Sequence, residues 1–220
     1  MGWRYVLFDL DGTLTDSKPG ILRCVQYALA ACGRPEPDET KLYPFIGPPL
    51  MDSFRDFCGM TDAQAAFAVK KYRERFSTTG IFENAVYPGI PTLLEKLKKA
   101  GLTLAVATSK PEVYMLKILT HFQLKSYFSV AVGSDICRDD ETKADIIQKA
   151  LKQLKLSEIN PPKTVMVGDR KHDVLGAHAC GLPCIGVHYG YAPSGELEAF
   201  GADWTTETPE TLCEWILETM

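Results

Sequence analysis

The sequence predicts an α/β protein, a parallel sheet flanked by helices, with a block of helices inserted after the first strand. Three observations carry that prediction. The apolar run Tyr5-Val6-Leu7-Phe8 stops abruptly at Asp9-Leu10-Asp11-Gly12, and an apolar run bounded by turn residues reads as a strand buried on both faces. From Tyr87-Pro88-Gly89 onward, strand patterns alternate with helix patterns, as βαβ units and right-handed crossovers require. Between these stretches, residues 17 to about 82 follow helical periodicity alone.

The elements can be taken in order. Asp16-Ser17-Lys18-Pro19 reads as a helix entrance, with a capping side chain before a first-turn proline. Leu22, Val25, Leu29 and Cys32 then recur at helical spacing up to Gly33. Asp38 caps a second short helix through Tyr43. After the Gly47-Pro48-Pro49 break, Leu50, Phe54 and Phe57 mark a third helix that ends at Gly59. Thr61-Asp62-Ala63-Gln64 is a capping box, opening a long helix whose stripe is Ala65, Val69, Tyr72 and Phe76. The aromatics Phe54, Phe57, Phe67 and Phe76 are expected to fill the core of this helical block. Beyond it, a helix through Leu93, Leu94 and Leu97 ends at Gly101, and residues 102–107 form a buried strand. Ser109-Lys110-Pro111-Glu112 reads as a further capping box, for a helix through Val113, Leu116 and Leu119. Strands are expected at 129–132, 164–167 and 184–187, with helices from Thr142 to about Leu154 and after Asp173. A last short strand falls near Asp203-Trp204, and Thr208-Pro209 opens a terminal helix. The division that follows is a core of residues 1–16 and 84–220 with a helical insert over 17–83.

Composition is that of an ordinary globular chain: 220 residues, 45% hydrophobic and 24% charged. A net charge of −4 makes no electrostatic case for a nucleic-acid polymer or a membrane surface. The seven cysteines contain no Cys-x-x-Cys pair, so they read as small buried hydrophobes of a reducing cytosol. The first strand begins almost at the first residue, which leaves no room for a signal peptide, and no apolar stretch is long enough to span a bilayer. A cytoplasmic protein is the expectation.

The chemistry lies at the strand ends. The first strand ends in Asp9 and Asp11, the strand at 102–107 in Thr108 and Ser109, and the strand at 164–167 in Gly168-Asp169-Arg170-Lys171-His172-Asp173. Lys143 follows the remaining strand, at a helix start just after Thr142. In a parallel sheet these ends share one edge, where such sheets hold their ligands. Taken singly each residue has an ordinary reading: Asp11 a turn residue, Thr108 a helix cap, Lys143 a solvated lysine, Asp173 an acid in a helix's first turn. Their conjunction, in order, is what points to a site. The four histidines have no metal-ligand spacing, although His172 lies inside the last stretch.

Asp9-x-Asp11-Gly12-Thr13, Thr108, Lys143 and Gly168-Asp169-x-x-x-Asp173 resemble the four-motif set of the haloacid dehalogenase superfamily, and the resemblance covers essentially the whole chain. The helical insert is similar to the first-type cap of the phosphoglycolate phosphatase and β-phosphoglucomutase subfamily. The stretches around Lys143 and Asp169, with Tyr189-Gly190-Tyr191, look closest to phosphoglycolate-phosphatase-like and 5′-nucleotidase-like members. The resemblance implies a Rossmann-like sheet in the order 5-4-1-2-3, with Asp9 between Thr108 and Asp169. It also implies a magnesium-dependent phosphatase of small phosphomonoesters, acting through an aspartyl-phosphate intermediate. Asp9 would be the nucleophile and Asp11 the general acid and base. Thr108, Ser109 and Lys143 would hold the phosphoryl group. Mg2+, a hard cation that prefers oxygen ligands, would be held by Asp9, the Asp11 backbone carbonyl and Asp169, with Asp173 orienting a bound water or Lys143.

A mutase of the phosphoglucomutase type shares these motifs, and net phosphate release against isomer formation separates the two. A non-catalytic phospho-accepting or ligand-sensing module is the third reading, disfavoured because receiver domains place their aspartate after a different strand and carry no helical insert here. Within the insert, Arg23 and Arg55 are candidates for contact with a second anionic group of the substrate, against the ordinary reading of solvated arginines. Thr15 to Lys18 and Glu83 to Pro88 are the candidate hinges.

Overall fold

Val6, Leu7 and Phe8 have no solvent exposure, which demands neighbours on both edges and both faces of the strand they form. In the computed structural model of the protein, which describes residues 2–138, 141–156 and 163–219, that strand is β1 (Tyr5–Phe8). The chain continues through β2 (Thr15–Asp16), α1 (Lys18–Ala31), a 3-10 helix over Glu39–Phe45, α2 (Leu50–Cys58), α3 (Asp62–Phe76) and β3 (Ala85–Val86). It then alternates: α4 (Ile90–Lys99), β4 (Thr103–Pro111), α5 (Glu112–His121), β5 (Val130–Ser134), α6 (Lys143–Gln153), β6 (Thr164–Gly168), α7 (Lys171–Ala179) and β7 (Cys184–Val187). The short α8 (Glu196–Ala199), β8 (Trp204–Thr206) and α9 (Pro209–Glu218) complete it.

Six strands form one parallel sheet in the order β5-β4-β1-β6-β7-β8. Numbered along the chain without the short β2 and β3, this is the implied 5-4-1-2-3 order with one strand added outside its fifth member. Phe8 stands opposite Val106 of β4 and Val167 of β6. The residues just past these three positions therefore emerge side by side at the carboxyl edge.

The chain divides into two compact units, one holding the residues up to Thr15 and from Val86 onward, the other Asp16–Ala85. The chain passes from one to the other in β2 and β3, which form a two-stranded sheet of their own. In the larger unit, α6 and α7 cover one face of the sheet, packing Ile146, Ile147, Leu151 and Val174 on Leu7, Ala105 and Met166. α4, α5 and α9 pack on the opposite face. The α4 stripe of Ile90, Leu93, Leu94 and Leu97 is at most 1% exposed, and each such side chain contributes about 1.5–3 kcal/mol through burial.

In the smaller unit α3 packs against both α1 and α2, and its predicted capping box and buried stripe are present. One local expectation is corrected there. Phe57 and Phe67 are 50% and 46% exposed, so Phe54 and Phe76 alone of the four aromatics are core residues. The short helix expected after Asp38 is present as a 3-10 helix, with the Asp38 side chain accepting from the Thr40 N–H at 3.0 Å at its start. At the start of α1 the capping oxygen belongs to Asp16, which accepts from the Lys18 N–H at 3.2 Å, and not to Ser17.

Arg23 and Arg55 both hold acids within this unit. Arg55 pairs with Asp52 and Asp62. Arg23 Nη1 lies 2.9 Å from Glu83 Oε1, and Arg75 Nη1 lies 2.6 Å from Glu83 Oε2. The Arg75 hydrogen bonds, aided by Arg23, hold the Glu83 carboxyl below its ordinary pKa against the cost of its burial. A lowered carboxylate pKa gives stability that is present above the unfolded value and lost as pH falls through the folded one. Glu83→Gln is expected to cost about 1–2 kcal/mol at neutral pH. Urea midpoints of the two proteins should converge as pH falls below about 4; a gap that stays constant with pH refutes the account.

Candidate active site

Asp9 is the first residue beyond β1, and its N–H still donates to Val167 O at 2.9 Å. The chain then turns sharply, with the Leu14 and Thr15 N–H groups donating to Leu10 O and the Gly12 N–H to Thr15 O. Gly12 has φ +85°, and a Cβ placed on it would lie 2.1 Å from Asp169 Oδ2. The turn therefore needs glycine both for its backbone conformation and for the carboxylate pressed against it.

Lys143 is the first residue of α6, whose start is fixed by a capping box between Thr142 and Asp145. Its ammonium is buried and lies 2.6 Å from both Asp9 Oδ1 and Asp173 Oδ1. Asp173, in the first turn of α7, also accepts from the Arg170 N–H through Oδ2 at 3.0 Å. Asp169 is fully buried just past β6. Thr13 Oγ1 donates to its Oδ1 at 3.2 Å, and the Tyr191 N–H donates to its Oδ2 at 2.8 Å. Asp9, Asp169 and Asp173 bring carboxylate oxygens within 4.8 Å of one another.

Thr108, in β4 just past the last regularly paired residue Ala107, is 1% exposed and accepts from the Lys110 N–H at 3.3 Å. Ser109 is exposed, and its carbonyl accepts from Ser134 Oγ. The capping box expected at Ser109 is absent: β4 runs on to Pro111, and α5 begins at Glu112 with no side-chain cap. The residue before a proline avoids the helical region, so Lys110 stays extended and the helix starts later. The α5 stripe shifts with it: Met115, Ile118 and Leu119 are buried, whereas Val113 is half exposed. His172 is exposed on α7.

Electrostatically the cluster is unbalanced, with three buried carboxylates against one ammonium. Burial raises the pKa of Asp9 to about 6; the charges of Asp173 and Asp11 act in the same direction and Lys143 opposes them. Burial also pushes Asp169 well above the ordinary carboxylate range, again helped by Asp173 and Asp9. Burial disfavours the Lys143 ammonium, but its two aspartate partners outweigh that and raise its pKa. Such a site favours added positive charge, and its oxygen donors suit a hard divalent cation.

Several participants escape a reading of the sequence. Lys110 Nζ lies 2.5 Å from Asp11 Oδ2. Thr13 and the Tyr191 backbone hold Asp169, and Tyr189 Oη donates to Thr13 O at 3.0 Å. A Cβ on Gly190 would lie 2.3 Å from Asp169 Cβ, so the loop after β7 can close on the carboxylate only with glycine there. Arg170 pairs with Glu196 at 2.7 Å, tying the start of α7 to α8. The strand period of two would have put Lys110 on the Thr108 face; no sequence signal pointed to the other contacts.

Residues 6–187 match the haloacid dehalogenase-like hydrolase family. A 5′-nucleotidase of Pseudomonas aeruginosa is 47% identical over 88% of this chain and 86% of its own. Phosphoglycolate phosphatase 1 of the same organism is 32% identical, over 86% of this chain and 70% of its own. The tyrosine-protein kinase PtkA of Mycobacterium tuberculosis is 40% identical over 84% of this chain, which spans 62% of that protein. Among solved structures, a predicted phosphatase from Clostridium acetobutylicum superposes with a TM-score of 0.92 at 42% identity, covering 99% of this chain and all of the other. With the motif residues gathered at one sheet edge and the match running through them, the chain belongs to the haloacid dehalogenase-like hydrolase family.

Proposed function

We propose that the protein is a magnesium-dependent phosphatase that hydrolyses small phosphomonoesters through an aspartyl-phosphate on Asp9. The observation that carries this reading is the buried Asp9 carboxylate, paired with Lys143 and lying beside Asp169 and Asp173 in a cluster short of positive charge. Asp9 would attack phosphorus while Asp11 gives a proton to the departing alcohol oxygen. Asp11 would then take a proton from the water that opens the acyl phosphate. Thr108, Ser109 and Lys143 would hold the phosphoryl oxygens, and Asp173 would hold Lys143 in place. The donor set fits Mg2+, with the Asp9 and Asp169 carboxylates and the Asp11 backbone carbonyl as its protein ligands. Bound there, the ion would offset the phosphate's negative charge and the charge that develops on it. Residues 17–83 are read as the family's cap.

The names of the relatives support nucleoside 5′-monophosphates and phosphoglycolate as the substrate classes. The test is a panel of phosphomonoesters, including these, sugar phosphates and p-nitrophenyl phosphate, read by released phosphate with Mg2+ or with excess chelator. Phosphate release that stops on chelation and returns with Mg2+ is expected. Turnover undiminished by chelator overturns the metal assignment. Isomer formation without phosphate release would make the protein a mutase, and a stable phosphoprotein without turnover would make it a phospho-accepting module.

A further inference from the structure

The segment after Thr108 departs from regular pairing. Ala107 stands opposite Val132 of β5 and Pro111 opposite Ser134, so three residues of β4, Thr108 to Lys110, face the single Gly133. Bulges of this kind re-aim side chains beside active sites. Here the bulge sends the Lys110 side chain inward, 6% exposed, to place Nζ 2.5 Å from Asp11 Oδ2. The other Asp11 oxygen, Oδ1, is also buried and accepts no hydrogen bond. A buried acceptor left unpaired costs about 1–3 kcal/mol, and such an atom in a native site calls for a use. The pairing is asymmetric: one oxygen is anchored and the other is held dry and free.

From this we propose that Lys110 is a positioning residue. It grips Asp11 by Oδ2, so that the carboxyl cannot rotate and Oδ1 is the atom that exchanges the proton with the leaving oxygen. The inference rests on the reading of Asp11 as general acid and base. An ammonium that touched the phosphoryl group directly would instead strengthen binding of every phosphomonoester alike. A lysine with only a folding role would lower activity without regard to the leaving group.

The leaving group separates these cases. p-Nitrophenolate departs without a proton, whereas the alkoxide of glycerol phosphate needs one, and kcat/KM reports the step in which the ester oxygen leaves. In Lys110→Met, kcat/KM for glycerol phosphate should fall about 10- to 100-fold, while that for p-nitrophenyl phosphate changes less than about threefold. Asp11→Asn should show the same selectivity more strongly, and the Lys110→Met/Asp11→Asn protein should be no worse than Asp11→Asn alone, because coupled residues are not additive. Lys110→Arg, which keeps the charge, should recover part of the glycerol phosphate activity. Equal losses on the two esters, or additive losses in the double variant, overturn the proposal. If Lys110→Met does not fold, as judged by its circular dichroism and melting, Lys110→Gln carries the same comparison. Failure of the underlying reading looks different: Asp11→Asn would then process both esters like the unmodified protein, whatever Lys110 does.

Discussion

Asp9→Asn is expected to release no measurable phosphate from any ester the unmodified protein hydrolyses, a loss of about four orders of magnitude or more. The amide keeps the size of the carboxylate but carries neither its charge nor its nucleophilicity. The same substitution should leave the fold intact. Lys143 keeps Asp173 as a partner at 2.6 Å, and the protein sheds one of three mutually repelling buried carboxylates. The raised pKa of Asp9 reflects first of all the cost of burying its charge, and a neutral side chain does not incur it. The urea midpoint measured without divalent metal should therefore equal or exceed that of the unmodified protein. Inactivity with unchanged or increased stability would isolate the chemical role. Residual activity within about tenfold of normal would remove Asp9 as the nucleophile, and an inactive, strongly destabilised protein would leave the loss of activity explained by unfolding.

Much of this site was legible because parallel α/β folds put chemistry in a predictable place. Apolar runs ending at Asp9, Thr108 and Gly168 marked where three strands reach the carboxyl edge of the sheet, and their last apolar residues lie nearly side by side. Thr142 and Asp145 announced the helix start that delivers Lys143. What could not be read was decided by long-range packing or by a conflict between local signals. Ser109-x-x-Glu112 has the form of a capping box, but Pro111 holds the preceding residue extended, and the strand prevails. With α5 starting at Glu112, its buried residues are Met115, Ile118 and Leu119. Phe57 and Phe67 illustrate the other difficulty: each sits beside the buried stripe of its helix, and periodicity does not say how wide the covered stripe is. The Tyr191 and Thr13 contacts to Asp169 link residues 22 and 156 positions apart from it, and nothing local encodes them.

Lys143 tests whether the buried charges serve stability and chemistry separately. Lys143→Met retains the stem that packs at the start of α6 but leaves Asp9, Asp169 and Asp173 buried without their ammonium. Removing one partner of a buried ion pair typically costs about 3–5 kcal/mol, and here two aspartates lose the same partner. In metal-free buffer the urea midpoint should fall by an amount of that order. Activity should fall at least about 100-fold, since the phosphoryl group would lose a fixed, buried positive charge. Restoring the charge balance should then separate the two effects. Adding Asp173→Asn to Lys143→Met removes one of the stranded carboxylates and should recover part of the lost stability, with no return of phosphate release. Joint recovery of stability and activity in the double variant would mean that Lys143 acts only by keeping the site folded. No loss of stability in Lys143→Met would mean that the aspartates find other compensation, as they would if they took up protons. That second outcome has its own signature, a stability of the Lys143→Met protein that declines as pH rises, because folded carboxyls with raised pKa values bind protons that the unfolded chain releases.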